Sequence, residues 1–430
     1  MLKLFRQSSM LKPPSSPTPQ LLKNARLPRW LCYLLQSNWP IQNGRPELAD
    51  IEINHDLIAS IQPSLPSDAV GWDLAGALVL PGLVDAHTHI DKTFTLPRMG
   101  SIQPGLLGAI EAMTHDRSAW TAADIEQRSE QALQWAYAAG VSHMRTHCDW
   151  WDAAQEPLAW GVLGRLAKQW QGKLRLERAS LMPLHLFADA STAQALAAKV
   201  AASGQGARLG GFVHSTNWDP QALRHLLEAA DQHGLDVDLH MDEELNPDAC
   251  GLATTAALVK AIGFAGHVVC GHNCALAAQN EQLALQTLDA VAQTNITLVT
   301  LPITNLLLQD AATGKTPKQR GITLVKEAKA RGIRLLIASD NVQDAFCHLG
   351  SYDPLEAFGA GVIAGQLDAP FDVWTESICR ADWLRSGPAT PPLQPGSIAD
   401  LVVFKQASAL SFPSRAHDRF VLRHGSIIRS

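Results

Sequence analysis

The chain has 430 residues, 46% of them hydrophobic and 18% charged, with a formal net charge of −6 at pH 7. That length suits two to four domains of roughly 100–200 residues, or one α/β barrel with a smaller appended domain. The mild acidity excludes the basic face of a duplex nucleic-acid binder, and no apolar run reaches the roughly 18 residues that mark a membrane-spanning helix.

Residues 1–20 carry Lys3, Arg6 and Lys12, no acidic residue, and a Ser/Pro run from Pro13 to Pro19. A continuous apolar h-region and a small-residue cleavage site are both missing, so this segment reads as a disordered extension rather than a secretory signal. Residues 21–80 read as short strands rather than helices. Ala49-Asp-Ile-Glu-Ile53 alternates apolar and polar positions, and Leu57-Ile-Ala-Ser-Ile61 follows after a polar turn.

Residues 81–388 have another rhythm. Short apolar runs recur at 83–89, 141–147, 174–181, 209–214, 236–240, 267–272, 296–300 and 333–339, with helical segments between them. Asp219 caps one such helix, Pro220 takes its first position, and Gly234 closes it; Leu223, Leu226, Leu227 and Ala230 form its apolar stripe. Thr121 opens another that runs to Gly140. Eight strand–helix alternations predict α/β architecture, a distorted (β/α)8 TIM barrel. Residues 389–430 return to strands, with a turn at Gly396-Ser-Ile-Ala-Asp400, then Leu401-Val-Val-Phe404 and Arg419-Phe-Val-Leu422. The two strand-rich ends predict one small β-sandwich built from both termini. Seven cysteines at irregular spacing do not suit a disulfide framework, and a cytoplasmic protein is expected. Cys270 and Cys274 read as small buried residues.

Chemistry in such a barrel sits at the carboxyl ends of the strands. The first run ends in His87-Thr-His89, and side chains two apart on a strand share a face. The fifth ends in His240, with Glu243 three residues on; the sixth ends in His272 and the eighth in Ser339-Asp340. Taken singly, each has an ordinary reading: a chance HxH, a hydrogen-bonded core histidine, a helix-capping aspartate. Together they are buried polar groups that need a common partner, and a metal ion provides one.

Pro81-Gly-Leu-Val-Asp-Ala-His-Thr-His-Ile-Asp91 resembles the first-strand motif of the metal-dependent amidohydrolase superfamily. More narrowly, the chain is similar to the bacterial cytosine deaminase family. The similarity rests on Asn24-Ala-Arg-Leu-Pro28, His143-Met-Arg-Thr-His147, His240-Met-Asp-Glu243, Pro317-Lys-Gln-Arg-Gly-Ile-Thr323 and Ser339-Asp-Asn-Val342, and it covers nearly the whole chain. The resemblance implies that His87, His89, His240 and Asp340 bind one divalent metal, Fe(2+) or Zn(2+). It also implies that Glu243 shuttles protons and that His272, with Asp340, supports the attacking water. Such a metal lowers the pKa of its water towards ~7, and a desolvated glutamate is suited to protonating a ring nitrogen. Asp242 competes with Glu243 for that role, and the resemblance decides for Glu243. The HxE and PCxxC pattern of the deaminases that act on flipped bases is absent.

Two positions depart from the cytosine deaminase pattern. Leu184 stands where those enzymes typically place a glutamine against the pyrimidine edge, and Asn341 follows the metal aspartate where a second aspartate is usual. His87-Thr-His-Ile-Asp-Lys-Thr-Phe94 with Ala338-Ser-Asp-Asn341 also looks like relatives that strip N-alkyl amines from hydroxylated triazines, although those usually lack the glutamate seen at Glu243. Phe346 is expected as a pocket wall because the family places an aromatic there. Trp150, Trp151 and Trp218, just past strand ends, are candidates for stacking on a planar ring or for packing. The expected activity is metal-dependent hydrolytic deamination of a small N-heterocycle, cytosine or a cytosine-like aminopyrimidine. The alternative is hydrolysis of a cyclic amide or N-alkylamino-triazine C–N bond at the same metal. A small-molecule substrate, no nucleic acid, no membrane and a possible homo-oligomer complete the expectation.

Overall fold

The computed structural model describes residues 11–405 and 411–429. Its centre is a single sheet of eight parallel strands, each hydrogen-bonded to the next in sequence order. Numbered within the barrel, they are β1 (Leu83–Thr88), β2 (Val141–Asp149), β3 (Arg175–Pro183), β4 (Ala207–Val213), β5 (Val237–Met241), β6 (Val268–His272), β7 (Ile296–Thr300) and β8 (Arg334–Ile337). Every apolar run singled out in the sequence became one of these strands. Both faces of the strands are covered, by the interior on one side and by helices on the other, so most are rich in apolar residues, whereas β2 and β3 carry buried charged residues as well.

The outer helices that matter below are α1 (Leu106–Arg117), α2 (Ala122–Ala139), α3 (Leu158–Gln169), α4 (Ala190–Ala202), α5 (Pro220–Gln232) and α6 (Gly251–Ile262). Their caps are the ones the sequence supplies. The Asp219 carboxylate accepts from the Gln221 and Ala222 N–H groups, and the Thr121 hydroxyl accepts from the Asp124 N–H. Leu223, Leu226, Leu227 and Ala230 of α5 are fully buried against the sheet.

The barrel is distorted at one seam. No ladder joins β8 to β1. Instead the Asp340 N–H donates to the His87 carbonyl at 2.9 Å, and the Ser339 N–H donates to the Asp85 carboxylate at 2.9 Å. β1 also pairs irregularly with β2 between Asp85 and Thr88, the stretch that carries His87.

The interior is divided in character. Val84, Ala86, Val269, Val299 and Leu336, from β1 and β6–β8, make an apolar cluster separate from the helix-facing core. On β2 the alternating His143, Arg145 and His147 are all buried. Arg145 reaches Glu177 on β3 at 2.6 Å and crosses the barrel to Asp238 on β5 at 2.8 Å. The same Asp238 meets His147 Nε2 at 3.1 Å.

The termini form the small domain as two four-stranded sheets. One runs Leu57–Pro63, Ala49–Asn54, Leu21–Ala25, Trp72–Asp73; the other runs Ser426–Arg429, Arg419–Arg423, Leu401–Phe404, Val79–Pro81. Leu22, Ile51, Leu401 and Phe420 share its core. One correction concerns the segment read as strands only, which contains a helix at Arg29–Leu35. Seven residues are too few to stand on propensity; Leu31 and Cys32 are buried in the sandwich core, and tertiary burial holds the helix. Of the segment expected to lack structure, residues 1–10 lie outside the described residues. From 11 to 20 there is neither helix nor strand, yet the Lys12 carbonyl accepts from the Trp72 indole and the Pro17 carbonyl from the Ile427 N–H. All seven cysteines are free, with Cys270 and Cys274 buried. Among the described residues no helix is long and apolar enough to cross a membrane.

Replacing Arg145 by Met leaves Glu177 and Asp238 buried without their shared cation. We expect a loss of about 3–5 kcal/mol of stability, read as a lower midpoint in chemical denaturation at an unchanged slope.

Candidate active site

The strands deliver their last side chains to one point. His87 Nε2 lies 3.2 Å from His240 Nε2, and His240 Nε2 lies 3.1 Å from His89 Nε2. Asp340 Oδ1 is 3.3 Å from His89 Nε2 and 3.6 Å from His87 Nε2. Four donors on a sphere of ~2.1 Å radius, the usual metal–nitrogen distance, would be roughly 3.4 Å apart if tetrahedral. The observed spacings match that edge. Burial lowers the His87, His89 and His240 pKa values well below the ordinary imidazole range, and each imidazole's charge would further disfavour protonation of its neighbours. Three neutral imidazoles are therefore the stable form, which is the form that ligates. Asp340 is fully buried, and burial, with the charges of Asp344 and Asp85 adding to it, raises this carboxyl to about 8. A divalent cation among the imidazoles holds such a carboxylate ionised. The donor set fits a metal ion.

The chain bends sharply where it delivers these groups. Asp242, His272 and Asp340 have φ of 48°, 69° and 64°, in the left-handed region. Such positions cost about 1–3 kcal/mol for a non-glycine residue and collect at functional sites. Gly271 supplies space instead: a Cβ there would come within 2.8 Å of the His87 ring.

Glu243 and His272 stand beside the donor set. His272 Nδ1 lies 3.1 Å from Asn305 Oδ1 and 3.3 Å from Glu243 Oε1, so its N–H points to these oxygens and Nε2 is left as a buried acceptor without a partner. Burial lowers the His272 pKa to about 3 and raises the Glu243 carboxyl well above its ordinary range, with the nearby Asp340 charge adding to the second effect. Glu243 is thereby disposed to carry a proton. Asp242 does something else: its two oxygens accept from the Gly251 and Leu252 N–H groups at the start of α6. Asp242 is thus engaged by a helix terminus, while Glu243 faces His272. The segment at 317–323 supports this side, where the Thr323 hydroxyl donates to the His272 carbonyl at 2.6 Å.

The donor set opens into a pocket whose walls include Leu181, Pro183, Phe212, Asn341 and Phe346. Phe346 and Asn341 thus lie where the sequence placed them. Leu184 does not reach the pocket. It is fully buried in the main core with Met182, on the face of the chain opposite the pocket-lining Leu181 and Pro183. Trp150 and Trp218 pack with the core, whereas Trp151 lines the pocket.

Four further residues were not singled out by sequence reasoning. Asp149, the last residue of β2, bonds Lys92 Nζ at 2.8 Å and Arg117 at 2.5 Å, and Lys92 Nζ also lies 4.9 Å from the Phe346 ring centroid. His147 packs against His87 with ring centroids 3.9 Å apart and planes inclined by 37°, and its Nε2 meets Asp238. The available signals were the two-residue alternation His143, Arg145, His147 on one strand, and charged residues just past the ends of β1 and β2.

The amidohydrolase family model matches residues 159–427, a span that omits β1 with His87 and His89. A pterin deaminase of Rhizobium rhizogenes is 36% identical over 98% of this chain and 96% of its own length, a span that includes them. Among solved structures, the 5-methylcytosine deaminase from Klebsiella pneumoniae liganded with phosphonocytosine superposes with a TM-score of 0.77 at 20% identity, covering 95% of this chain and 98% of that one. The N-isopropylammelide isopropylaminohydrolase from Burkholderia multivorans gives 0.70 at 22% identity, covering 96% and 98%. Both share the fold.

Gly271→Ala drives a methyl group into the His87 ring. Metal content after purification, measured by elemental analysis, is expected to fall to a small fraction of that of the unaltered protein, while far-ultraviolet circular dichroism is retained.

Proposed function

This chain belongs to the amidohydrolase family, hydrolases of carbon–nitrogen bonds, and from that premise we propose that it removes the ring amino group of a pterin-type aminopyrimidinone as ammonia. Metal-dependent hydrolytic deamination of a heterocycle is the reaction; the fused pterin ring is our reading of the substrate. One observation carries it. Glu243, the proton carrier, lies 3.3 Å from His272 beside the donor set, in a chain that aligns from end to end with a pterin deaminase. The walls support a planar ring wider than cytosine, since Trp151, Phe212 and Phe346 present aromatic surfaces and Ile110 and Met113 an apolar side. Leu184 lies in the core and takes no part in the pocket, and Glu243, which relatives that release N-alkyl amines usually lack, supports deamination.

His87, His89, His240 and Asp340 would hold the metal, iron or zinc, for which this ligand set is comparably suited. When bound, it supplies a water acidic enough to attack at neutral pH. The protein handles the protons. His272 Nε2, an unpartnered acceptor, orients the attacking water, and an Asp340 oxygen takes a proton from it. Glu243 donates its proton to the ring nitrogen as the carbon becomes tetrahedral, takes up the proton that Asp340 accepted and passes it to the departing amine, and regains a proton from the hydroxyl of the tetrahedral centre as the carbonyl forms. Because Glu243 must begin protonated, activity falls as pH rises through its raised pKa, which gives the profile an alkaline limb.

The test is ammonia release from pterin, cytosine and an N-alkylaminotriazine by the metal-loaded protein. Pterin is expected to be turned over in preference to cytosine. Glu243→Gln should lower kcat by about 10²–10⁴ with metal content unchanged, since Glu243 is not a ligand. Alkylamine release from the triazine with pterin inert would overturn the reading.

A further inference from the structure

The groups that would react are closed off from solvent. His89, His240, Glu243 and His272 are 2%, 4%, 4% and 1% exposed. The space above them is about 50 Å³, against ~300–1,000 Å³ for pockets that hold small ligands. Outward movement of a wall would widen this narrow space for a planar heterocycle.

α1 is the wall built to move. Leu106, Ile110, Met113 and Arg117, at helical spacing, face the pocket. Its other side, with Gly108, Glu111, Thr114 and His115, faces a second cleft of about 910 Å³. The helix is therefore flanked by open space where its neighbours are flanked by packing. Among the described residues α1 makes no extensive packing with any one strand or helix of the barrel, whereas α2 packs on α3 and α4 on α5. Its buried residues Ala109 and Met113 belong to a small cluster with Leu308 and Ala345, separate from the main core. Such satellites open at lower cost than the core does. At the amino-terminal end the chain from Met99 to Gly105 has no regular structure, and Gly105, with φ of 86°, makes the turn into the helix. At the other end Arg117 ties α1 to the barrel through Asp149, and Asp116 pairs with Arg98.

We propose that α1 is a hinged lid on the active-site pocket, swinging towards the cleft behind it, and that the Arg117–Asp149 ion pair is its latch. The latch sits where it would feel an arriving ligand. Asp149 also holds Lys92 on the pocket wall, and Arg117 lies 5.4 Å from the Trp151 ring at the mouth. The lid does not depend on which heterocycle is the substrate.

Two measurements on the full-length, metal-loaded protein test it. The first is the rate at which 1,10-phenanthroline, a planar chelator of substrate-like width, withdraws the metal. The second is amide hydrogen exchange, which needs no metal. Arg117→Gln removes one charge-assisted hydrogen bond, so withdrawal is expected to be about tenfold faster. Exchange across 106–117 should rise with it, while α2 is unchanged. Arg117→Lys, which keeps the ion pair, should restore both towards the parent values. Unchanged withdrawal and exchange in Arg117→Gln would overturn the latch. Exchange of α1 in the parent as slow as that of α2, or a rise shared equally by α1 and α2, would overturn the lid.

Discussion

The structure depends on how its barrel is closed. Seven of the eight strand junctions are ordinary parallel ladders. At the eighth, the main chain of Asp340 bonds the main chain of His87, and the side chains of the same two residues belong to the donor set. Closure of the fold and assembly of the site are therefore one event. A ladder at this seam would have kept β1 and β8 extended. The two-point seam instead lets Asp340 adopt its left-handed backbone and turn its carboxylate inward. The distortion is a requirement of the site, and the Asp85 carboxylate, by accepting the Ser339 N–H, holds the seam next to it.

Beneath the donor set the barrel is asymmetric for a related reason. Three neutral imidazoles and a carboxylate around a divalent ion concentrate charge at the mouth, and their rings must be held in place without competing cations nearby. The apolar half of the interior, Val84 to Leu336, packs against that need by excluding water. The charged half satisfies itself: Arg145 is shared by Glu177 and Asp238, and Asp238 holds His147, whose ring packs against His87 at 3.9 Å between centroids. A buried ion network costs desolvation and adds little net stability, but it specifies position. Here the position specified is that of a ligand ring.

What the sequence made legible follows from what periodicity encodes. The barrel strands are covered on both faces and so mostly appear as compact apolar runs, and the α5 stripe and its Asp219 cap are local features. The donor set was legible because each member is the last residue of such a run or close to it. Glu243 and Asp242 were not separable in sequence. Their difference is made by the amino terminus of α6, eight or more residues further on, which claims the Asp242 carboxylate. Leu184 lies away from the pocket because the alternation of β3 turns Leu181 and Pro183 towards the pocket and leaves Met182 and Leu184 in the core. Lys92, Arg117 and Asp149 form one ion cluster from positions 57 and 32 residues apart, which no local pattern announces. The Arg29–Leu35 helix was hidden among strands for the same reason: its cause is the sandwich core, not its own composition.

The cluster also explains how a single acidic residue serves three elements. Asp149 ends β2, so its backbone is part of the rigid barrel; its oxygens hold Lys92, which follows β1, and Arg117, which ends α1. Nearby Asp91 is pushed up to about 6 by burial, while the Asp149 carboxyl, despite burial, is held low by Lys92 and Arg117. One carboxylate thus keeps two cations, and the less favoured neighbour takes up protons first. That arrangement places positive charge on the wall of the pocket that Glu243 also lines, and couples the wall's charge to the position of α1. A substrate that displaces Arg117 would alter the field at Lys92, so entry, closure and the electrostatics of the reacting groups are linked through the same side chain.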